Sequence, residues 1–140
     1  MKVERSIFTA VLLLLMLNLN AQKGEVWPVY SQQQYDVDEQ VQITKEYEAK
    51  TTCSFFIFIN NNEFIHVTDS ITSLYKIVKR QKGKAGNDIY TVVSEAGNIY
   101  TMAFNKEAKD IVLLSKQKGF GWYYKCLSPY VTPVVENFNK

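Results

Sequence analysis

Any Ser-His-Asp or Cys-His relay in this chain must pass through His66, because the sequence holds no second histidine. His66 stands between Ile65 and Val67 in an alternating, strand-like segment. A histidine in that setting is more often solvent-facing or hydrogen-bonded than catalytic, so no catalytic role is assigned to it. Paired carboxylates are the other route to hydrolysis, as when two acids flank a glycosidic bond. Asp36, Asp38 and Glu39 cluster in sequence, but in a polar connector rather than the apolar setting a general acid requires. The same acids lack the glycine and distal glutamate of a twelve-residue calcium loop. The sequence shows no Gly-rich phosphate cradle and no zinc-ligand spacing. The expectation is a protein without catalytic residues, metal or cofactor.

Cys53 and Cys126 are the two cysteines. In an oxidising compartment an even pair reads most simply as a structural disulfide, here joining an early strand to the last one. Aromatic residues are in surplus, with nine Tyr, eight Phe and two Trp. Most belong to the core of a small β-domain. Trp27 and the run Trp122-Tyr123-Tyr124 are the candidates for ligand or partner contact: in a strand Trp122 and Tyr124 share a face while Tyr123 points away. Lys82 and Lys84, in the glycine-containing loop 82–87, are candidates for a basic recognition loop. The basic stretch around them is too ordinary for an exported β-protein to imply nucleic acid.

The first twenty-one residues read as a secretory signal. Lys2 and Arg5 form a basic start, residues 7–17 are apolar except for Thr9, and Ala21 offers a small residue for cleavage before Gln22. The apolar run is about half the length needed to span a bilayer, so no transmembrane segment is expected in the mature chain. The leader resembles bacterial signals ending in Asn-Ala-Gln, common in one group of Gram-negative bacteria. The address implied is periplasmic or extracellular.

Residues 22–140 suit one domain with a single core. Their charge is unevenly spread: residues 22–70 carry three basic and eight acidic groups, a net −5, and residues 71–140 carry eleven and five, a net +6. Such asymmetry can mark a surface for an anionic partner; acidic and basic strands lying side by side in one sheet explain it more simply.

The elements that must position these residues read as strands. Residues 22–40 look like a polar, irregular lead-in with an edge strand around residues 26–30, since Pro28 removes a ladder donor. Val41, Ile43 and Tyr47 alternate as a half-buried first full strand. Residues 54–59 and 63–68 flank Asn60-Asn61-Asn62 as a hairpin, and residues 69–80 fit both periods but favour strand through Tyr75, Ile77 and Val78. Residues 88–94 and 99–104 form a hairpin around Gly97-Asn98, followed by strands at 110–115 and 122–127. Pro129 and Pro133 mark residues 129–140 as a tail that does not continue the sheet.

About seven strands within residues 41–128 predict an all-β, antiparallel up-and-down meander, closed as a barrel or packed as a sandwich. The texture of residues 56–59, 64–67 and 74–77 is similar to that of small lipocalin-like barrels, although no lipocalin signature motif is present. The functional expectation is an exported, non-catalytic domain that binds an envelope component or a partner protein. A calycin-like carrier of an apolar small molecule is the first alternative, with Thr101 and Ala103 as small inward residues around a cavity. The second is an inhibitor or immunity-type protein acting on a secreted enzyme through residues 82–87.

Overall fold

The computed structural model describes residues 24–131; the leader and the chain after residue 131 lie outside the described residues. Ten antiparallel strands follow one another without a helix: β1 (Glu25–Val37), β2 (Ile43–Glu46), β3 (Lys50–Asn60), β4 (Glu63–Val67), β5 (Thr72–Lys82), β6 (Asp88–Ser94), β7 (Ile99–Asn105), β8 (Asp110–Ser115), β9 (Phe120–Cys126) and β10 (Tyr130–Val131). From β3 to β9 each strand pairs with the next, and β9 returns to pair with β1, so the meander closes as an eight-stranded barrel. β2 and β3 lie along one side of β1, and β9 and β10 along the other. Each of these pairs therefore acts as one interrupted stave. The expected all-β meander is present, and the barrel is the form it takes.

The segment read as an irregular lead-in is instead the longest strand of the barrel, paired on both sides. The physical reason lies at Pro28. In an antiparallel ladder the N–H and C=O of one residue point to the same neighbour. The Pro28 carbonyl accepts from Leu127 N at 2.8 Å, so the missing N–H faces the gap between the end of β9 and the start of β10. No ladder bond is lost there. A register shift between Val29 and Ser31 bulges Tyr30 out of the wall and adds twist where β1 changes partners.

Alternation along the strands divides inside from outside. Trp27, Val29, Phe56, Phe58, Phe64, Tyr75, Ile77, Tyr90, Val92, Met102, Phe104, Ile111, Leu113, Tyr124 and Cys126 form one buried cluster. An eight-stranded barrel is just wide enough for side chains to fill it, and here large aromatics do so. Trp27 packs edge-on against Phe104 at 4.9 Å, and Phe58 lies against both Phe64 and Phe104. Thr101 and Ala103 do not line this interior. Met102 and Phe104 are fully buried, so their chain neighbours face outward.

Other local expectations resolve by pairing. Residues 72–82 form strand β5, paired with β4 and β6. The β6–β7 hairpin turns at Gly97, whose φ of 83° needs a residue without Cβ. Residues 41–47 do not make a half-buried stave. Only residues 43–46 are a strand, all exposed, and Val41 sits at φ 63° in the turn before them. The two residues of β10 extend pairing beyond Pro129. Of the opposite charges that face each other across the ladder, Glu63 and Lys76 join the acidic to the basic half, whereas Asp36–Lys45, Lys82–Asp88 and Asp110–Lys125 each lie within one half.

Trp27→Ala removes the largest side chain from the closed end of the barrel and is expected to lower the unfolding free energy by about 3–5 kcal/mol. Urea denaturation followed by far-UV circular dichroism measures it, and a loss below about 1 kcal/mol contradicts the packing described.

Candidate functional site

The two ends of the barrel differ in chemistry. At the base, near residues 60–62, 83–87 and 106–109, the interior is aromatic and sealed. Trp27 is 2% exposed, and its indole N–H donates to Glu25 Oε2 at 3.0 Å. Lys106 in turn pairs with Glu25 at 3.4 Å. Trp27, a candidate contact residue by composition, is thus a core residue.

At the opposite end, the mouth, the inward residues become polar. Register places Gln32 across from Tyr124 and Gln34 across from Trp122, on the inner face of the wall. Ser73 stands opposite His66, Ser94 opposite Tyr75, and Tyr100 opposite Val92. Two concavities open there. One, of about 270 Å³, is lined by Gln32, Gln34, Tyr47, Glu48, Lys50 and Trp122. The other, of about 340 Å³, includes Ser73, Tyr75, Ser94, Glu95, Asn98 and Tyr100, with Glu95 Oε1 accepting from the Leu74 amide. Their floor is formed by stacked rings: Trp122 lies 6.3 Å from Tyr124 at 19°, and Tyr75 meets Tyr100 edge-on at 5.9 Å.

Ser94 and Ser115 hydroxyls accept turn amides, from Asn98 and Lys118 respectively. By contrast, the amides of Gln32 and Gln34, the Trp122 indole N–H and the Tyr100 hydroxyl carry no hydrogen bond to another described residue. Burial raises the Tyr124 phenol well above its ordinary range, and the neighbouring Tyr75 and Tyr100 reinforce this. The same causes, burial first and then Tyr100, raise Tyr75. These phenols remain protonated donors at neutral pH.

His66 lies beneath the mouth. Its ring stacks on Phe56 at 4.2 Å and 3°, meets Tyr124 edge-on at 5.2 Å, and has Nε2 3.4 Å from Ser54 Oγ. Burial lowers its pKa to about 4, so the ring is neutral at pH 7. No carboxylate of the described residues is among its contacts. The acidic cluster is occupied with turn geometry: Asp38 Oδ1 accepts from the Gln40 and Gln42 amides, and Asp36 Oδ2 from the Tyr47 hydroxyl at 2.8 Å.

The remaining candidates separate. Trp122 and Tyr124 share the inner face as read, and Tyr123 turns outward to bond Asp110 at 3.0 Å. Lys82 pairs with Asp88, and Lys84 is exposed at the base, at the far end of the barrel from Trp122. The anticipated Cys53–Cys126 bridge is not formed; both thiols are free. Cys126 faces inward opposite Val29, which faces Ser54, whereas Cys53 points out of the wall. With β1 between them, the cysteines lie two strand spacings apart, roughly 9–10 Å, beyond the reach of about 7 Å between bridged Cα atoms. Burial pushes the Cys126 thiol up to about 12. Gln32 and Gln34 were missed because a run of three glutamines reads as connector; the alternation of Trp27 and Val29 ahead of them was the available signal.

Two measurements check this arrangement. A thiol reagent is expected to label Cys53 in the native protein and Cys126 only after denaturation. Because unfolded His66 titrates near 6.5 and folded His66 near 4, the unfolded chain binds the extra proton between those values. Stability is therefore full above about pH 6.5 and falls by about 3 kcal/mol on descending to pH 4. Thermal melts across that window should lose this component in His66→Phe. No protein-family model, no curated protein and no solved structure matches this chain.

Proposed function

We propose that this chain is an exported, non-catalytic binding domain that recognises an envelope component at the open mouth of its barrel. The observation that carries the reading is the change in the interior from a sealed aromatic base to a mouth with converging, unpartnered amide, indole and phenol groups. A concave site with a few directed polar groups over aromatic walls is the ordinary form of a small-ligand site. Unpaired polar groups held half out of water gain most when a partner supplies their hydrogen bonds. Export is supported by the basic, apolar and small-residue succession of residues 1–21.

The apolar-carrier alternative is less well supported. It requires empty space deep in the barrel, where Phe56, Phe58, Phe64, Met102 and Phe104 are fully buried and packed together. Recognition through residues 82–87 is also less well supported, because Lys82 is already paired with Asp88 and Asn87 closes that turn onto Gly83 and Lys84.

Native mass spectrometry of the protein purified from the exported fraction tests the reading. The leaderless chain is expected to carry a non-covalent mass that disappears on denaturation and is lost in Trp122→Ala, with the fold retained by circular dichroism. Retention of the same mass by Trp122→Ala and by Gln34→Leu would falsify the mouth as the site.

A further inference from the structure

The lining of the mouth also constrains the class of ligand, on the footing that the mouth is the binding site. Its inward groups are mainly amides, hydroxyls, phenols and an indole, at Gln32, Gln34, Ser73, Tyr75, Tyr100 and Trp122, with Lys50 opposite Gln32 on the same face. Apart from Lys50, none of these is charged at neutral pH. Glu48 and Lys50 line the smaller concavity and Glu95 the larger. Asp36 is held by Tyr47, while Glu48 and Lys50 are exposed. With Lys50 and Glu48 in the same concavity, an ionic ligand of either sign meets a like charge as well as a counter-charge, so the lining favours neither sign. An acyl chain fails for a different reason, since it would cover the Gln32 and Gln34 amides and the Tyr100 hydroxyl without replacing the water bonded to them.

What remains is an uncharged ligand dense in both donors and acceptors. Glutamine amides, with a carbonyl oxygen and an NH₂ group each, and phenols serve both roles. The aromatic groups add a shape requirement. Trp122 on β9 and Tyr100 on β7, both partly buried, present ring surface at the opening, suited to a flat molecule with one apolar face, while Tyr75 beneath them is stacked on Phe64. The concavities of about 270 and 340 Å³ are at the small end of ligand sites. They fit one or two rings, not a folded peptide.

We infer that the mouth binds a neutral saccharide unit, with hydroxyls bonded to Gln32, Gln34 and Tyr100 and a C–H face laid on Trp122. The test is side-chain amide and indole NMR of the exported, leaderless protein. It is titrated in turn with a hexose trisaccharide, an N-acetylhexosamine trisaccharide, an uncharged blocked tripeptide and palmitate. One or both saccharides are expected to shift the Trp122 indole and Gln34 amide signals saturably. The Trp27 indole should stay in place. Trp122→Ala should weaken binding by about tenfold, the worth of one aromatic stacking contact, and Gln34→Leu should weaken it while the spectrum of the base is preserved. Shifts at the same mouth signals from the tripeptide or palmitate, with neither saccharide producing any, would overturn the saccharide assignment and leave the mouth as the site. Saturable shifts confined to residues outside the mouth would overturn both.

Discussion

Strand β1 is the member on which the barrel depends. It is hydrogen-bonded along both edges, to β2 and β3 on one side and to β9 and β10 on the other. Sequential hairpins from β3 to β9 would leave an open sheet with two unsatisfied edges, and a sheet edge in water is an aggregation template. Inserting β1 between the first and last hairpin strands removes both edges at once. The strand has the length for this, and its bulge at Tyr30 supplies the extra twist where partners change. Pro28 is compatible only because it faces the interval between β9 and β10.

Closure then dictates what the interior can be. An eight-stranded barrel has room for side chains and little else, and at the base the aromatic surplus fills that room with edge-on and tilted rings. The charge-assisted hydrogen bond from Trp27 to Glu25, backed by Lys106, seals that end. At the mouth the inward positions pass to Gln, Ser and Tyr, and concavities open among them. His66 lies at the boundary. It is buried and neutral, with its ring faces used for packing, so it joins the two halves of the core and belongs to neither a relay nor a metal site among the described residues.

Sealed base and open mouth have a mechanical consequence for binding. The groups that would meet a ligand project from β1, β5, β7 and β9, whose backbones are fixed by ladders on both sides. Little ordering remains to be done when a ligand arrives, which lowers the entropic cost of association. The loops at the same end are tied by their own turn bonds, such as Asp38 to the Gln40 and Gln42 amides.

By itself the sequence determined the class of the fold. Period-two alternation, the Gly97 turn and the β-branched and aromatic content of residues 72–78 specify antiparallel hairpins locally, and local physics is enough to read them. It also determined that Trp122 and Tyr124 share a face, because strand geometry fixes that regardless of partners. Tertiary structure decided the rest, since partner and depth are properties of the closed sheet. Pro28 argued against a central strand until its carbonyl was seen to bond Leu127. Cys53 and Cys126 argued for a bridge until β1 was found between them. Trp27 was as plausible a contact residue as Trp122, and only the closure of β1 on β9 placed one in the sealed base and the other at the mouth. Gln32 and Gln34 read as solvated connector for the same reason: a polar side chain in a strand faces water or a lumen according to which strands flank it, and those strands come from the two ends of the chain.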